Sequence, residues 1–178
     1  MCADRWRKEN TNMDLWIHND PCIRRAVMQT PLGYLRIEAE NDAITRVDFV
    51  EEATEMLPED ALLKKTIAQL KEYFAGSRTA FDVPLQPRGT AFQQAAWQAL
   101  QSIPYGETIT YGEEAARMGD KKAARAVGGA NRRNPIAIII PCHRVVAANG
   151  VGGYASGIDR KCFLLELEKQ NKKRAASD

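Results

Sequence analysis

Between Val27 and Val50 the chain reads as short strands. Leu35, Ile37 and Ala39 alternate with polar neighbours, Asn41-Asp42 gives a turn signal, and Ile44, Val47 and Phe49 restart the apolar pattern. That alternation puts one face of a strand in a core and the other in water. From Asp60 the spacing lengthens. Leu63, Ile67, Leu70 and Phe74 fall on one face of a helix that Ala75-Gly76-Ser77 ends. Residues 1–25 show no period and are left unplaced.

"FDVPLQPRGT" carries two prolines and a glycine and joins two halves of different pattern, with the boundary near Pro84–Arg88. This divides the chain into an N-terminal unit, 1–86, a C-terminal unit, 87–171, and a frayed tail, 172–178. Thr90 is placed to cap a helix whose apolar face is Phe92, Ala96, Ala99 and Leu100, and "SIPYGE" breaks it. A helix from Tyr111 to Met118, capped by Thr110, turns at Gly119-Asp120 into a second from Lys121 to Asn131. Two short helices joined by a glycine turn form a helix-turn-helix. Small residues (Ala124, Ala126, Gly128, Gly129) suit close packing of the second helix, and Lys122 and Arg125 remain for a solvent or phosphate face. Ile136–Ile140 reads as a strand. The last helix spans Ile158 to Lys169, with Ile158, Cys162 and Leu165 on one stripe that Leu164 and Leu167 widen; Cys162 is therefore read as core. The chain holds no internal repeats and no low-complexity segment.

The chain has 178 residues, 44% of them hydrophobic, enough for a proper core. No apolar run is long enough to span a membrane. The start, "MCADRWRKEN", has no apolar stretch of the secretory kind, so a cytoplasmic protein is expected. Cys2, Cys22, Cys142 and Cys162 are scattered without a CxxC pair, which favours free thiols over a disulfide framework. Net charge is only +2, but it is unevenly spread. Glu38 to Asp60 is acidic apart from Arg46, whereas Lys121, Lys122, Arg125, Arg132 and Arg133 are uninterrupted by any acid. A phosphate-facing surface in the second half follows, against the plainer alternative of a solvated helix face.

"IIIPCHRVV" places Cys142 beside His143, one of two histidines in the chain. The pair can be half of a metal site, but His18 and Cys22 are the only further donors of that kind with helical spacing, and nothing brings them to Cys142. It can be inert core. It can be a nucleophile and its base, since a thiol needs help to ionise at neutral pH. Neighbouring side chains on a strand point opposite ways, so both face one pocket only if the chain bends, and Pro141 offers the bend. The imidazole then needs a partner to hold its tautomer. Glu166 and Glu168 are both available, and Glu168 continues the Leu164–Leu165 stripe.

"RGTAFQQAAWQAL", "IPYGETITYGEEA", "ARAVGGANRRNP" and "NPIAIIIPCHRVV", followed by "GGY", "RK" and "LLELE", resemble the O6-alkylguanine-DNA alkyltransferases. The resemblance is strong from Arg88 to Glu168 and reaches weakly back to "TPLGYLRIEA". It implies an α/β (α+β) protein: a small N-terminal antiparallel sheet with a helix, like a ribonuclease H core, and a mainly helical C-terminal domain carrying the helix-turn-helix and the active cysteine. It implies single-turnover repair of O6-alkylguanine, and of O4-alkylthymine, in duplex DNA. The second helix would enter the minor groove and the damaged base would be flipped out. It further implies a monomer with no cofactor. Such a protein is cytoplasmic, nucleoid-associated in a prokaryote and nuclear in a eukaryote.

Carried over residue by residue, Cys142 is the acceptor. His143 is the base acting through a water, and Glu168 orients it. Asn134 ties down the turn before the active segment. Tyr111 donates a proton toward guanine N3. Arg125 fills the gap left by the flipped nucleotide, with Lys122, Ala124 and Arg132 also toward DNA. Val145 offers its carbonyl to the guanine amino group. Tyr154 lines the pocket and the Ala155 amide faces O6. Ala155 replaces a serine of some members, and an amide survives that change. Ser156 stands where members carry glycine or a large aromatic, so alkyl groups larger than methyl are expected to fit. Cys2, Cys22 and His18 do not match the human member's zinc ligands, so no metal is expected. A sister group has tryptophan in place of the cysteine and only binds lesions. The competing functions are a lesion-sensing module without transfer, a thiol hydrolase using Cys142, His143 and Glu168, and a regulator switched by alkylation.

Overall fold

The computed structural model describes residues 22–51 and 53–177. Cys2 and His18 lie outside the described residues. Three antiparallel strands, β1 (Arg24–Thr30), β2 (Gly33–Glu40) and β3 (Ala43–Val50), pair in sequence order. The β2–β3 turn holds Asn41 at φ 50°, a conformation asparagine tolerates better than most residues. The inner face carries Leu35, Ile37, Ala39, Ile44 and Val47, all without solvent exposure. On these packs α1 (Ala61–Phe74), whose N-cap Asp60 accepts from the Leu63 amide. In the last turn of α1 Tyr73, rather than Phe74, is fully buried, because its hydroxyl finds a partner in the second half. The outer face of the sheet is laced by Arg25, Arg36, Arg46, Glu38 and Asp48.

Neither edge of the sheet is left open. Val27 of β1 exchanges two backbone hydrogen bonds with Met56. On the far side, Ile44 of β3 bonds to Pro84 and Gln86, and Val47 to Pro135 and Ala137. The segment leading to Cys142 is thus hydrogen-bonded along the N-terminal sheet.

The second half holds α2 (Ala91–Gln101), the two-residue strand β4 (Ile109–Thr110), α3 (Tyr111–Arg117), α4 (Ala124–Arg132), the two-residue strand β5 (Val145–Val146) and α5 (Ile158–Ala175). Strands β4 and β5 pair in parallel. Thr90 and Thr110 both form reciprocal capping boxes, with Gln93 and Glu113. The buried face of α2 is Ala96, Trp97 and Leu100; Phe92 is 41% exposed. The indole of Trp97 also donates to the Ala130 carbonyl at 2.9 Å, which fastens α4 to α2. A single 3-10 turn, Lys121–Ala123, leads into α4.

Three further expectations change. Ile136–Ile140 is no strand. Ile136 makes one bridge to Val47, and the chain then coils through tight turns with Ile138 at φ 71°. A β-branched residue there is strained by roughly 1–3 kcal/mol, a cost the surrounding packing must offset. The burial stripe of α5 also differs. Its buried residues are Lys161, Leu164 and Glu168, while Ile158 and Cys162 are exposed. Charged side chains take the inward positions because each has buried partners. The same helix runs on to Ala175, so most of the expected tail is helical.

Candidate active site

The turn Ile136–Pro141 delivers Cys142, and a 3-10 turn over Cys142–Arg144 follows at once. Pro141 (φ −84°, ψ 63°) makes the bend. Cys142 is left part-exposed while His143 behind it is fully buried. Asn134 holds the turn from inside. Its Oδ1 accepts from the Ile136 amide at 3.0 Å, and its Nδ2 donates to the Ile140 carbonyl at 2.8 Å and to Cys142 Sγ at 3.2 Å. Burial pushes the Cys142 thiol up to about 11, although Asn134 and the Lys161 charge favour the thiolate.

Glu168 sits beneath this turn, 1% exposed. It accepts from Tyr73 Oη at 2.7 Å, the Gly106 amide at 2.9 Å, and Arg144 Nε and Nη2 at 2.9 and 3.0 Å. His143 Nε2 lies 2.7 Å from its Oε1. Gly106 is at φ 71°, and a Cβ there would stand 2.9 Å from Lys172 and 3.2 Å from the Glu168 carbonyl. Only glycine lets this amide come so close. Burial opposes the Glu168 charge, but hydrogen bonds from His143 and Arg144, with the Arg144 guanidinium, hold the carboxyl down at about 2. An ionised carboxylate only accepts, so His143 Nε2 carries the proton and Nδ1 keeps a lone pair. Nδ1 has no hydrogen-bond partner among the described residues. Burial lowers the His143 pKa, against the pull of Glu168, and keeps the ring neutral at neutral pH.

Two site residues escaped the sequence reading. Arg144 is buried, pairs with Glu168 through two nitrogens and donates to the Ile103 carbonyl at 2.7 Å. Lys161 is fully buried, and its ammonium donates to the carbonyls of Val145 at 2.6 Å and Gly153 at 3.0 Å. Burial lowers its pKa, and Cys142 opposes the shift. The available signal was the spacing Lys161, Leu164, Glu168 at i, i+3 and i+7. Two charged residues flank a leucine on what must be an inward face.

Above the thiol opens a pocket of about 270 Å³. Tyr111, Tyr154 and Ala155 line it on one side, and Gly128, Gly129 and Arg132 of α4 on the other. Tyr111 Oη donates to the Gly153 carbonyl at 3.4 Å; burial and the nearby Cys142 raise its pKa. Tyr154 Oη is buried without a partner among the described residues. Val145 and Ser156 do not line the pocket. The Val145 carbonyl already accepts from Lys161, and the Ser156 carbonyl from Arg160. Lys122, Arg125 and Arg132 are exposed along the face that carries α4, and Ala124 is half-buried. Glu114 of α3, with no exposure, joins α3 to α4 through Asn131 Nδ2 at 2.6 Å; burial raises its pKa to about 7. Among the described residues no cluster of histidine, cysteine and carboxylate side chains could hold a metal ion, and no helix is long and apolar enough to cross a membrane.

This site can generate a thiolate at the floor of a pocket beside a basic helix. Two family models match the chain. Residues 23–87 match the ribonuclease-like domain of 6-O-methylguanine DNA methyltransferase, and residues 91–170 its DNA-binding domain. Methylated-DNA–protein-cysteine methyltransferases are similar in sequence. That of Methanosarcina acetivorans is 47% identical over 80% of this chain and 96% of its own, and that of Mycobacterium leprae 49% identical over 80% and 90%. Among solved structures, Mycobacterium tuberculosis OGT in complex with DNA superposes with a TM-score of 0.76 at 47% identity, covering 83% of this chain and 93% of that one.

Proposed function

The chain belongs to the 6-O-methylguanine DNA methyltransferase family, and from that premise we propose that Cys142 is the residue that takes the alkyl group. The protein is a methylated-DNA–protein-cysteine methyltransferase; it repairs DNA by direct reversal, moving an alkyl group from the base to a cysteine. The observation that carries the assignment to Cys142 is its place on the lining of a base-sized pocket, next in the chain to a buried His143 that Glu168 holds by Nε2, leaving Nδ1 free to take a proton.

In the reaction the Cys142 thiol gives its proton, through a water, to the lone pair on His143 Nδ1. Glu168 fixes the imidazole and compensates the positive charge that forms. The sulfur attacks the alkyl carbon; the C–S bond forms as the C–O6 bond breaks, and the electron pair leaves on guanine O6. Tyr111 protonates guanine N3, and the Ala155 amide receives the developing charge at O6. The product thioether is not cleaved by water, so each molecule acts once. Lys161 acts on this step in two ways. It favours the thiolate by charge, and it fixes the carbonyls of Val145 and of Gly153, the latter in the pocket lining.

Several features support a duplex approached by its minor groove, with the base flipped into the pocket. Arg125 and Lys122 are exposed on the face that carries α4, and Gly128 and Gly129 bring the backbone of that helix to the pocket wall. Arg125 would occupy the vacated stack, while Arg132 and the backbone at Ala124 face phosphates. One protein chain supplies every group named, so it works as a monomer. O4-alkylthymine is a second substrate on the same chemistry.

The test is intact-protein mass after mixing with duplex DNA bearing one O6-methylguanine, followed by peptide mapping. A gain of one methyl in place of a hydrogen on Cys142, stopping at one equivalent, is the expected result. An unchanged mass, or a methyl on another residue, would overturn the assignment.

A further inference from the structure

Gly153, Tyr154 and Ala155 line the pocket from a loop that runs to Gly157, and that loop is anchored at both ends from α5. Lys161 holds the Gly153 carbonyl. Arg160, its neighbour, donates from Nη1 to the Ser156 carbonyl at 2.9 Å. The loop closes on itself through the Gly157 amide and the Tyr154 carbonyl at 3.1 Å, with Gly157 at φ 103°.

Arg160 also reaches the other domain. Its Nε donates to the Leu32 carbonyl, in the turn between β1 and β2, at 3.1 Å. Its guanidinium carbon stands 4.6 Å from the centre of the Phe49 ring on β3. The next residue of that turn, Gly33, lies at φ 106°, and a Cβ there would sit 3.5 Å from Arg160 Nη2. The side chain is 23% exposed. A planar fork stacked on an aromatic face and spanning two carbonyls has few alternative orientations. One side chain therefore ties the Leu32 turn, the Phe49 ring and the Ser156 carbonyl into one rigid unit.

We propose that Arg160 is a positioning residue through which the N-terminal domain sets the width of the alkyl pocket. The inference rests on the alkyl-transfer reading of that pocket. Arg160 stands outside the reacting atoms and acts by fixing Tyr154, Ala155 and Ser156. With the latch intact, the wall holds a small alkyl carbon in line with the sulfur. With it released, the loop yields outward, so a small group is badly aligned and a bulky one is admitted more easily.

The experiment compares Arg160→Ala, Arg160→Lys and Phe49→Leu with the parent protein in single-turnover transfer from duplexes carrying O6-methylguanine or O6-benzylguanine. Arg160→Ala should lower the saturating methyl rate by roughly tenfold to a hundredfold, the scale of a small misalignment. Its DNA affinity should stay within about twofold, because the guanidinium is taken up by the Leu32 and Ser156 carbonyls and the Phe49 ring. The ratio of benzyl to methyl rates should rise by about fivefold or more. Phe49→Leu should shift the ratio the same way by less, although it lies in the other domain. Arg160→Lys should restore only part of the loss, since an ammonium cannot span two carbonyls while stacked. Hydrogen exchange supplies a readout free of chemistry: the amides of residues 153–157 should exchange faster in Arg160→Ala and Phe49→Leu. An unchanged benzyl-to-methyl ratio in both variants, with the parent active, would overturn the latch. Unaltered exchange in the loop would do the same. A parent protein that acquires no alkyl group would instead overturn the transfer reading, and the specificity role with it.

Discussion

Glu168 receives hydrogen bonds from Tyr73, Gly106, His143 and Arg144, so its charge is fixed before any substrate arrives. This depressed carboxyl makes a stability statement. Its stabilisation is fully present above the ordinary carboxylate range and is lost as the pH falls through 4.5 toward about 2, ~3 kcal/mol in all. Denaturant unfolding from pH 5 down to pH 2 should show that slope, and Glu168→Gln should lack it. Glu168→Gln should also lose roughly 3–5 kcal/mol at neutral pH by leaving Arg144 buried and uncompensated. The thiol gives a second prediction. Because burial pushes Cys142 up to about 11, labelling of this residue by iodoacetamide should climb about tenfold per pH unit toward that value. Alkyl transfer should not follow that rise. It should be level from pH 6.5 to 8 and fall on the acid side, where the lowered His143 finally takes a proton and can no longer act as base. If transfer climbs in step with labelling, the proton does not pass to His143.

At the scale of elements, the join between α3 and α4 is a buried carboxyl and an amide, Glu114 and Asn131. Its pH dependence runs opposite to that of Glu168. The Glu114 carboxyl is raised to about 7, so the unfolded chain loses its proton first, and stability falls as pH rises from 4.5 to about 7, by up to ~3 kcal/mol. Glu114→Gln keeps the hydrogen bond to Asn131 and should remove this loss. Its unfolding free energy should exceed the parent's at pH 8 and match it near pH 4.5. Helices α1, α2 and α3 were legible in the sequence, because their caps are local: Asp60, Thr90 and Thr110 each bond a backbone amide within three residues. Patterns resting on distant partners were not. The run Ile136–Ile140 has the composition of a strand, yet tertiary packing coils it. The α5 stripe misled because Lys161 and Glu168 point inward only once Val145, Gly153, His143 and Arg144 are in place to receive them. The pairing of His143 with Glu168, expected from the sequence, is present at 2.7 Å, whereas only helical spacing with Leu164 and Glu168 hinted at Lys161 and nothing local marked Arg144.

Across the whole molecule, one apolar core runs from Ala26 in β1 to Leu164 in α5, and Tyr73 carries the N-terminal domain to the candidate site through Glu168. Tyr73→Phe removes one buried hydrogen bond to Glu168. It should cost about 1–3 kcal/mol and slow transfer several-fold, although the residue lies far from the thiol in sequence. An unaltered transfer rate would mean that Glu168 needs no support from the first domain. Thermal unfolding should be a single transition rather than two, since β3 has its outer edge completed by Pro84–Gln86 and Pro135–Ala137. That completed edge bears on how the protein is made. On the ribosome the first three strands emerge long before residues 135–137, so until then the hydrogen-bonding groups at Val47 have no mate and the apolar face of the sheet is only part-covered. A nascent chain paused there exposes an open strand to its neighbours. Messages cut short before this point should yield insoluble fragments rather than a free-standing first domain.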